Sequence, residues 1–347
     1  MTIFYLKPKG SFIDIIPQSD TLFGAICWGV KILYDEKRLK TMLDKFLKGK
    51  PPFLLSSSFP YIENNEKKIH LLPKPISNPL QVSPESLREI ERFKEFEKTA
   101  FLSQSLFFDI INDELGDLDL YNSFSTQDKS DSEFIKIGSA LFKRDEFSLF
   151  PWKELDISRN AIDRLSSGTI EGNLFYNKEI FFKKSCGIYF FIKLTEFAES
   201  DTLKILKTVM SFYSDRGIGG DVTSGKGQFD LEIKEDETLF EEPENASDFL
   251  TLSSYYPKEK EWRHFRKNQT HSWFQVMRKK GKIEASYFPY TNIWKNSLLL
   301  IKEGSSFPIM GDNKYYGENP IVIVKEEFDV QQYGFAYIVK RIVGDGD

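Results

Sequence analysis

Two periods organise the first two thirds of the chain. Strand-like patterns occupy residues 2–6, which end at Lys7-Pro8-Lys9-Gly10, then 53–56, 186–195 and 228–233. Helical spacing takes over between them. Leu22, Phe23, Ile26, Val30 and Leu33 share one face of a helix that Ser19 or Asp20 would cap and that runs to about Tyr34. Gly24, Ala25 and Gly29 would let this helix lie close to a sheet. Leu203, Leu206, Val209 and Met210 define a second helix over 202–212. The resulting order, β-α-β…β-α-β, is that of a split βαβ, ferredoxin-like unit.

Insertions separate its halves. Residues 50–84 hold seven prolines, which break helices and confine strands to edges. Extended segments at 53–56 and 69–72 joined by rigid turns are predicted there. Ser83, with Pro84 at the first helical position, should cap a helix running to about Lys98. Residues 113–133 are polar, acidic and weakly patterned, as in a loop or insertion. Two short alternating runs around a Ser-Gly-rich tip predict a long β-hairpin over 156–182. Beyond an acidic linker, strand patterns recur at 249–253, 297–301, 321–324 and 335–339. The chain thus reads as an α+β protein with one unit over 1–236 and a second over 246–347.

The stretch 215–229 stands apart, with five glycines among its fifteen residues. Glycine tolerates positive φ and allows close backbone approach at an entropic cost, so such density in an ordered loop calls for a reason. Backbone amides facing an anion supply one. Gly220–Lys226 begins like a phosphate-binding P-loop, G-x-x-x-x-G-K, but Gly227 stands where a Ser or Thr should hold magnesium. The order is also helix, loop, strand, the reverse of a P-loop. Gly217-Ile218-Gly219 lacks the third glycine of a dinucleotide fingerprint.

Composition adds bounds. At 347 residues and 40% hydrophobic content the chain can build two cores, and it lacks the signature of disorder. No apolar run is long enough to span a bilayer, and residues 1–6 do not resemble a signal peptide, so a cytoplasmic protein without membrane attachment is expected. Cys27 and Cys186 sit in apolar segments, as small core residues do. Net charge is −5, against the basic footprint of a generic nucleic-acid binder. The charge is uneven, however. Residues 230–248 carry nine acids and one lysine, while 258–282 carry nine Lys or Arg and two glutamates.

Candidate chemistry is sparse. Arg159, Asn160 and Arg164 in the hairpin suit phosphates or base edges, or salt bridges with Asp156 and Asp163. The three histidines, His70, His264 and His271, form no zinc-ligand pattern, and no cofactor is expected. His264 and His271 lie among bases and aromatics, a mixture that serves a solvated face, a protein contact, RNA binding or RNA cleavage.

Four motifs in order carry a family resemblance. Residues 19–26 (SDTLFGAI), 55–61 (LSSSFPY) with Leu72-Pro73-Lys74-Pro75, 159–164 (RNAIDR) with Gly172-Asn173-Leu174-Phe175, and the glycine loop resemble the RAMP superfamily of CRISPR proteins. Within it, they are similar to the fourth-subunit family of type III-A (Csm) effector complexes. The similarity covers about residues 19–229. It implies two ferredoxin-like (RRM-like) domains and a non-catalytic scaffold that holds the 5′ repeat-derived tag of the guide RNA (crRNA). It also implies two protein partners, the large polymerase/cyclase-like subunit and the backbone RAMP subunit. By position it makes Arg159, Asn160, Arg164, Arg216, Gly217, Gly219, Gly220, Ser224, Gly225 and Lys226 candidate RNA contacts, and the hairpin a wedge between tag and guide. The runner-up is a RAMP endoribonuclease cutting precursor crRNA through a histidine, though none lies in or near the first helix.

Overall fold

The computed structural model describes residues 1–13, 16–64, 67–83, 85–125, 132–146, 149–163, 165–239, 241–268, 271–283, 293–324 and 328–344. It is a mixed α+β structure built on one ten-stranded sheet. At one end of it, strand Thr2–Pro8 lies between Cys186–Leu194 and the edge strand Phe229–Lys234, antiparallel to both. On its other edge Cys186–Leu194 pairs with Phe53–Leu55 and Phe59–Asn64. The sheet then continues through Lys67–Pro73 to the short strands Phe101–Ser103, Ala140–Lys143, Phe134–Ile137 and Phe124–Ser125, two of whose pairings are parallel.

Two fifteen-residue helices, Ser19–Leu33 and Thr202–Arg216, pack together at Gly29. A Cβ at Gly29 would run into the Val209 side chain, so the small residue permits the contact. Strand and helix positions follow the predicted periods closely. The caps differ. The first helix starts after Gln18 without a side-chain cap, because the Ser19 hydroxyl accepts from Ser254 N–H instead. The helix expected to start at Ser83 starts later, over Leu87–Glu97. Ser86 and Glu89 there form a reciprocal capping box, which satisfies more orphan amides than a proline start would. Pro84 lies outside the described residues. The expected loop over 113–133 contains a helix, Asp117–Ser123, whose Leu120 and Tyr121 are buried; 126–131 are outside the described residues.

Strands Trp152–Ile162 and Thr169–Phe182 form the long hairpin, and the second of them pairs with the short strand Phe12–Ile13. The later part of the chain contributes a three-stranded sheet of Ser306–Pro308, Asp248–Thr251 and Ile338–Arg341, and two further hairpins. It also holds the helix Glu259–Lys267, which the basic stretch concealed from periodicity.

The later half has a buried cluster of its own around Phe249, Tyr255, Phe265 and Phe307, yet it also shares a larger one with the residues before 246. Leu250, Leu252, Tyr333, Phe335, Tyr337 and Val339 belong to the same buried cluster as Phe23, Phe46 and Phe191. Phe46 meets Tyr333 and Phe335 at ring-centroid distances of 6.2 and 5.8 Å, and Tyr337 stacks on Phe191. The Tyr333 hydroxyl accepts from Leu55 N–H at 2.8 Å. Truncating Phe46 to Ala should therefore cost about 3–5 kcal/mol. It should move one unfolding transition shared by both halves; two separated transitions in calorimetry would contradict a common core.

Candidate nucleic-acid interface

The helix Thr202–Arg216 ends at Gly217, whose φ of 92° no L side chain adopts comfortably. From there the loop closes on itself. Ile218 N–H donates to Gly227 O at 3.1 Å, and Gly227 N–H donates to Ser11 O at 2.9 Å. A Cβ at Gly217 would strike the Lys226 carbonyl, and one at Gly227 the Ile218 carbonyl. These two glycines build the neck. Gly219 and Gly225 also have positive φ, yet nothing lies within 4 Å of where their Cβ atoms would be. They form the exposed rim with Gly220, Asp221, Thr223 and Ser224. Among the described residues, the amides of Gly219 and Gly220 donate to no acceptor.

The predicted cations are arranged around a residue the sequence did not single out. Glu179 is fully buried where the hairpin meets Phe12–Ile13. Its carboxylate accepts from Arg159 Nη2 at 2.8 Å, Lys226 Nζ at 2.7 Å and Ser11 Oγ at 2.5 Å. Lys226 Nζ also reaches Ser11 Oγ at 2.9 Å. Arg159 and Glu179 meet because antiparallel pairing sets Arg159 opposite Phe175 and Leu155 opposite Glu179, which puts all four on one face. Burial alone would raise the Glu179 pKa; the hydrogen bonds from Lys226, Ser11 and Arg159 outweigh it and hold it at about 2. One carboxylate thus ties together the amino-terminal turn, the hairpin and the glycine loop. Two cations share it, so the junction keeps a formal charge of +1.

This alters the reading of Arg159 and Lys226. Neither is a free basic group, and the partner of Arg159 is neither Asp156 nor Asp163. Asp163 instead accepts from the amides of Leu165 and Ser166 in the hairpin tip. Asn160 is exposed on the opposite face from Arg159. Arg164 lies outside the described residues. Arg216 is partly exposed with its guanidinium 5.9 Å from the Phe212 ring centroid. Asn177 Nδ2 donates to Asp221 Oδ2 at 3.3 Å, a second tie between hairpin and loop. Sequence periodicity could not flag Glu179, because its burial depends on pairing with a two-residue strand more than 160 positions away.

The histidines sort by burial. His70 is enclosed, with its ring nitrogens held by the Tyr5 hydroxyl at 2.9 Å and Gln104 Oε1 at 3.0 Å. Tyr189 packs against it edge-on, and desolvation lowers its pKa to about 4. It is a core residue and cannot reach an RNA backbone. His264 is on the helix Glu259–Lys267 beside Asn268, and His271 Nδ1 is 3.6 Å from the buried Asp248. Cys186 is buried and Cys27 half-buried, as core residues are.

Comparison with known proteins bears on this geometry. No family model matches the chain. A curated protein of Thermococcus onnurineus (strain NA1), "CRISPR system Cms protein Csm4", is 28% identical over 232 residues, covering 66% of this chain and 67% of that protein. Among solved structures, a Csm3–Csm4 subcomplex of a type III-A CRISPR-Cas interference complex contains a chain that superposes with a TM-score of 0.65. That match has 19% identity and covers 98% of this chain and 99% of the other. The chain is Csm4-like. Two Csm1–Csm4 cassettes, in complex with pppApA and with cA4, match at TM-scores of 0.59 and 0.61, with 19% and 18% identity over 99% of both chains. The RAMP resemblance carried by the four motifs is borne out, and the Csm4-like fold extends over the carboxy-terminal third, where the motifs are silent. Among the described residues no helix is long and apolar enough to cross a membrane.

Two measurements check the electrostatics. Glu179→Gln should lower stability by about 3–5 kcal/mol, since it leaves two cations at a junction built for a carboxylate. The contribution should be present in full above pH 4.5 and fall away toward pH 2 in the parent protein, and be absent in the variant. His70 acts in a different window. Its folded pKa is depressed from 6.5 to about 4, so the stability it lends is complete above 6.5 and declines as pH falls toward 4. His70→Gln should remove about 3 kcal/mol of that pH dependence in denaturant titrations between pH 7 and 4.

Proposed function

We propose that this chain is a non-catalytic, RNA-binding scaffold subunit of a type III-A CRISPR complex. It holds the 5′ repeat-derived tag of the crRNA and links the large polymerase-like subunit to the first backbone RAMP subunit. The observation that carries the reading is the rim of the glycine loop. There the unbonded amides of Gly219 and Gly220 lie open, next to a hairpin whose Arg159 is clamped in place. Amides without acceptors beside fixed cations suit phosphate oxygens, and such contacts set the register of a strand without reading its bases.

The hairpin adds a wedge. Leu174, Phe175 and Tyr176 are each about half exposed or more, and aromatic faces presented this way stack on bases. The same reading takes 1–236 as a ferredoxin-like RAMP unit and 246–347 as a second such unit. For the first, the strand order supports it: Phe229–Lys234, Thr2–Pro8, Cys186–Leu194, then Phe53–Leu55 with Phe59–Asn64. The partners follow from the similar proteins, which are described in Csm3–Csm4 and Csm1–Csm4 assemblies. The endoribonuclease alternative loses support with His70, whose burial and two hydrogen bonds fit a packing role.

The test has two arms. Co-expression with the other subunits and a guide RNA should yield a complex containing this chain, and its absence from that complex would reject the scaffold role. Arg159→Ala keeps Glu179 paired through Lys226 and Ser11. It should weaken binding of tag RNA by about tenfold and reduce the log–log salt slope by about 0.7, one phosphate contact. Unchanged affinity and slope would remove Arg159 from the interface.

A further inference from the structure

The basic stretch after residue 258 finds no role in the reading above, and its geometry is specific. Val276–Lys279 pairs antiparallel with Leu298–Ile301, and the pairing extends through the bridge between Lys282 and Trp294 and the bond from Ile283 N–H to Ile293 O. Residues 276–283 and 293–301 therefore form a second extended hairpin. Its two strands carry five cations, Arg278, Lys279, Lys280, Lys282 and Lys295, and no carboxylate.

The faces of this hairpin are used differently. Lys279 and Lys295 turn inward. Lys279 Nζ is 3.1 Å from Asp20 Oδ1 and also bonds Gln18, while Lys295 bonds Gln332. Val276, Arg278, Lys280 and Lys282 alternate onto the outer face, and all four are exposed. Across the hairpin Leu299 is opposite Arg278 and Trp294 opposite Lys282. The ammonium groups of Lys280 and Lys282 flank the Trp294 ring, 5.5 and 4.8 Å from its centroid. Among the described residues, Arg278, Lys280 and Lys282 make no ion pair. That contrasts with Arg159 and Lys226, and it occurs in a protein of net charge −5.

A row of cations at every second residue repeats about every 6.6–6.8 Å along a strand. Mutual repulsion and the lack of any carboxylate make such a row a site for a polyanion. A half-exposed tryptophan between the lysines adds a stacking platform. Protein interfaces, by contrast, deplete lysine around their buried aromatic anchors. We propose that this outer face is a single-stranded RNA contact separate from the glycine loop. Arg278, Lys280 and Lys282 engage phosphates, and Trp294 stacks on a base, without sequence preference.

The test uses the full chain and a fluorescein-labelled oligouridine of about 20 nucleotides, long enough to cover either surface. The triple variant Arg278→Ala, Lys280→Ala, Lys282→Ala should bind about tenfold more weakly at moderate salt, with a log–log salt slope lower by about 2, three phosphates' worth. Trp294→Ala should also weaken binding about tenfold but leave the slope unchanged, because stacking releases no counterions. The Arg159→Ala, Gly219→Val double variant alters only the glycine-loop site, so its loss or retention of binding reports on that reading independently. Wild-type affinity and slope in the triple variant, with an unchanged melting curve, would overturn the proposal. A triple variant that keeps RNA but drops a protein subunit from the assembled complex would identify a protein interface and also overturn it.

Discussion

The carboxylate of Glu179 has no access to water, and a bare charge in that position would be intolerable. Three donors must converge on it, and they come from three places in the chain: Ser11 after the first strand, Arg159 in the hairpin and Lys226 in the glycine loop. The RNA contact proposed at the glycine loop depends on that convergence. Without it the hairpin would be held to the loop mainly by the Asn177–Asp221 contact, and the open amides at Gly219 and Gly220 would have no fixed neighbour.

The site therefore mixes two uses of positive charge. At the loop, arginine and lysine are structural first, neutralised in part and held in position. On the outer face of the second hairpin they are uncompensated and repeat along an extended strand. A protein with an acidic sum can present both, because its charge is uneven, with nine of its 52 carboxylates crowded into the run over 230–248.

Much of the central sheet was legible, because its strands and helices have clean periods: Leu22, Phe23, Ile26 and Val30 are buried on one helix face as spaced. The glycine loop was legible as a loop, but the division of its glycines into neck and rim was not. That division depends on the carbonyls of Ile218 and Lys226, which only the closed loop brings near. The helix Glu259–Lys267 was missed because its buried face is only two side chains, Phe265 and Glu261. The latter is a glutamate tied to Tyr255 and to the amides of Lys258 and Gly317. The division at residue 246 reflected a real change in composition; what it could not reveal is that Tyr333 and Phe335 return to fill space beneath Phe46.

That return has a consequence in time. Phe23, Phe46 and Leu55 leave the ribosome early, yet the rings of Tyr333 and Phe335 that close over them are among the last to be made. At 5–20 residues per second the wait is roughly 15–60 s. For that interval a nascent chain with 32 phenylalanines in its full length carries an unfinished apolar surface. A chain cut short before residue 333 would never acquire its cover, so shielding during synthesis matters more for this protein than for one whose halves close independently.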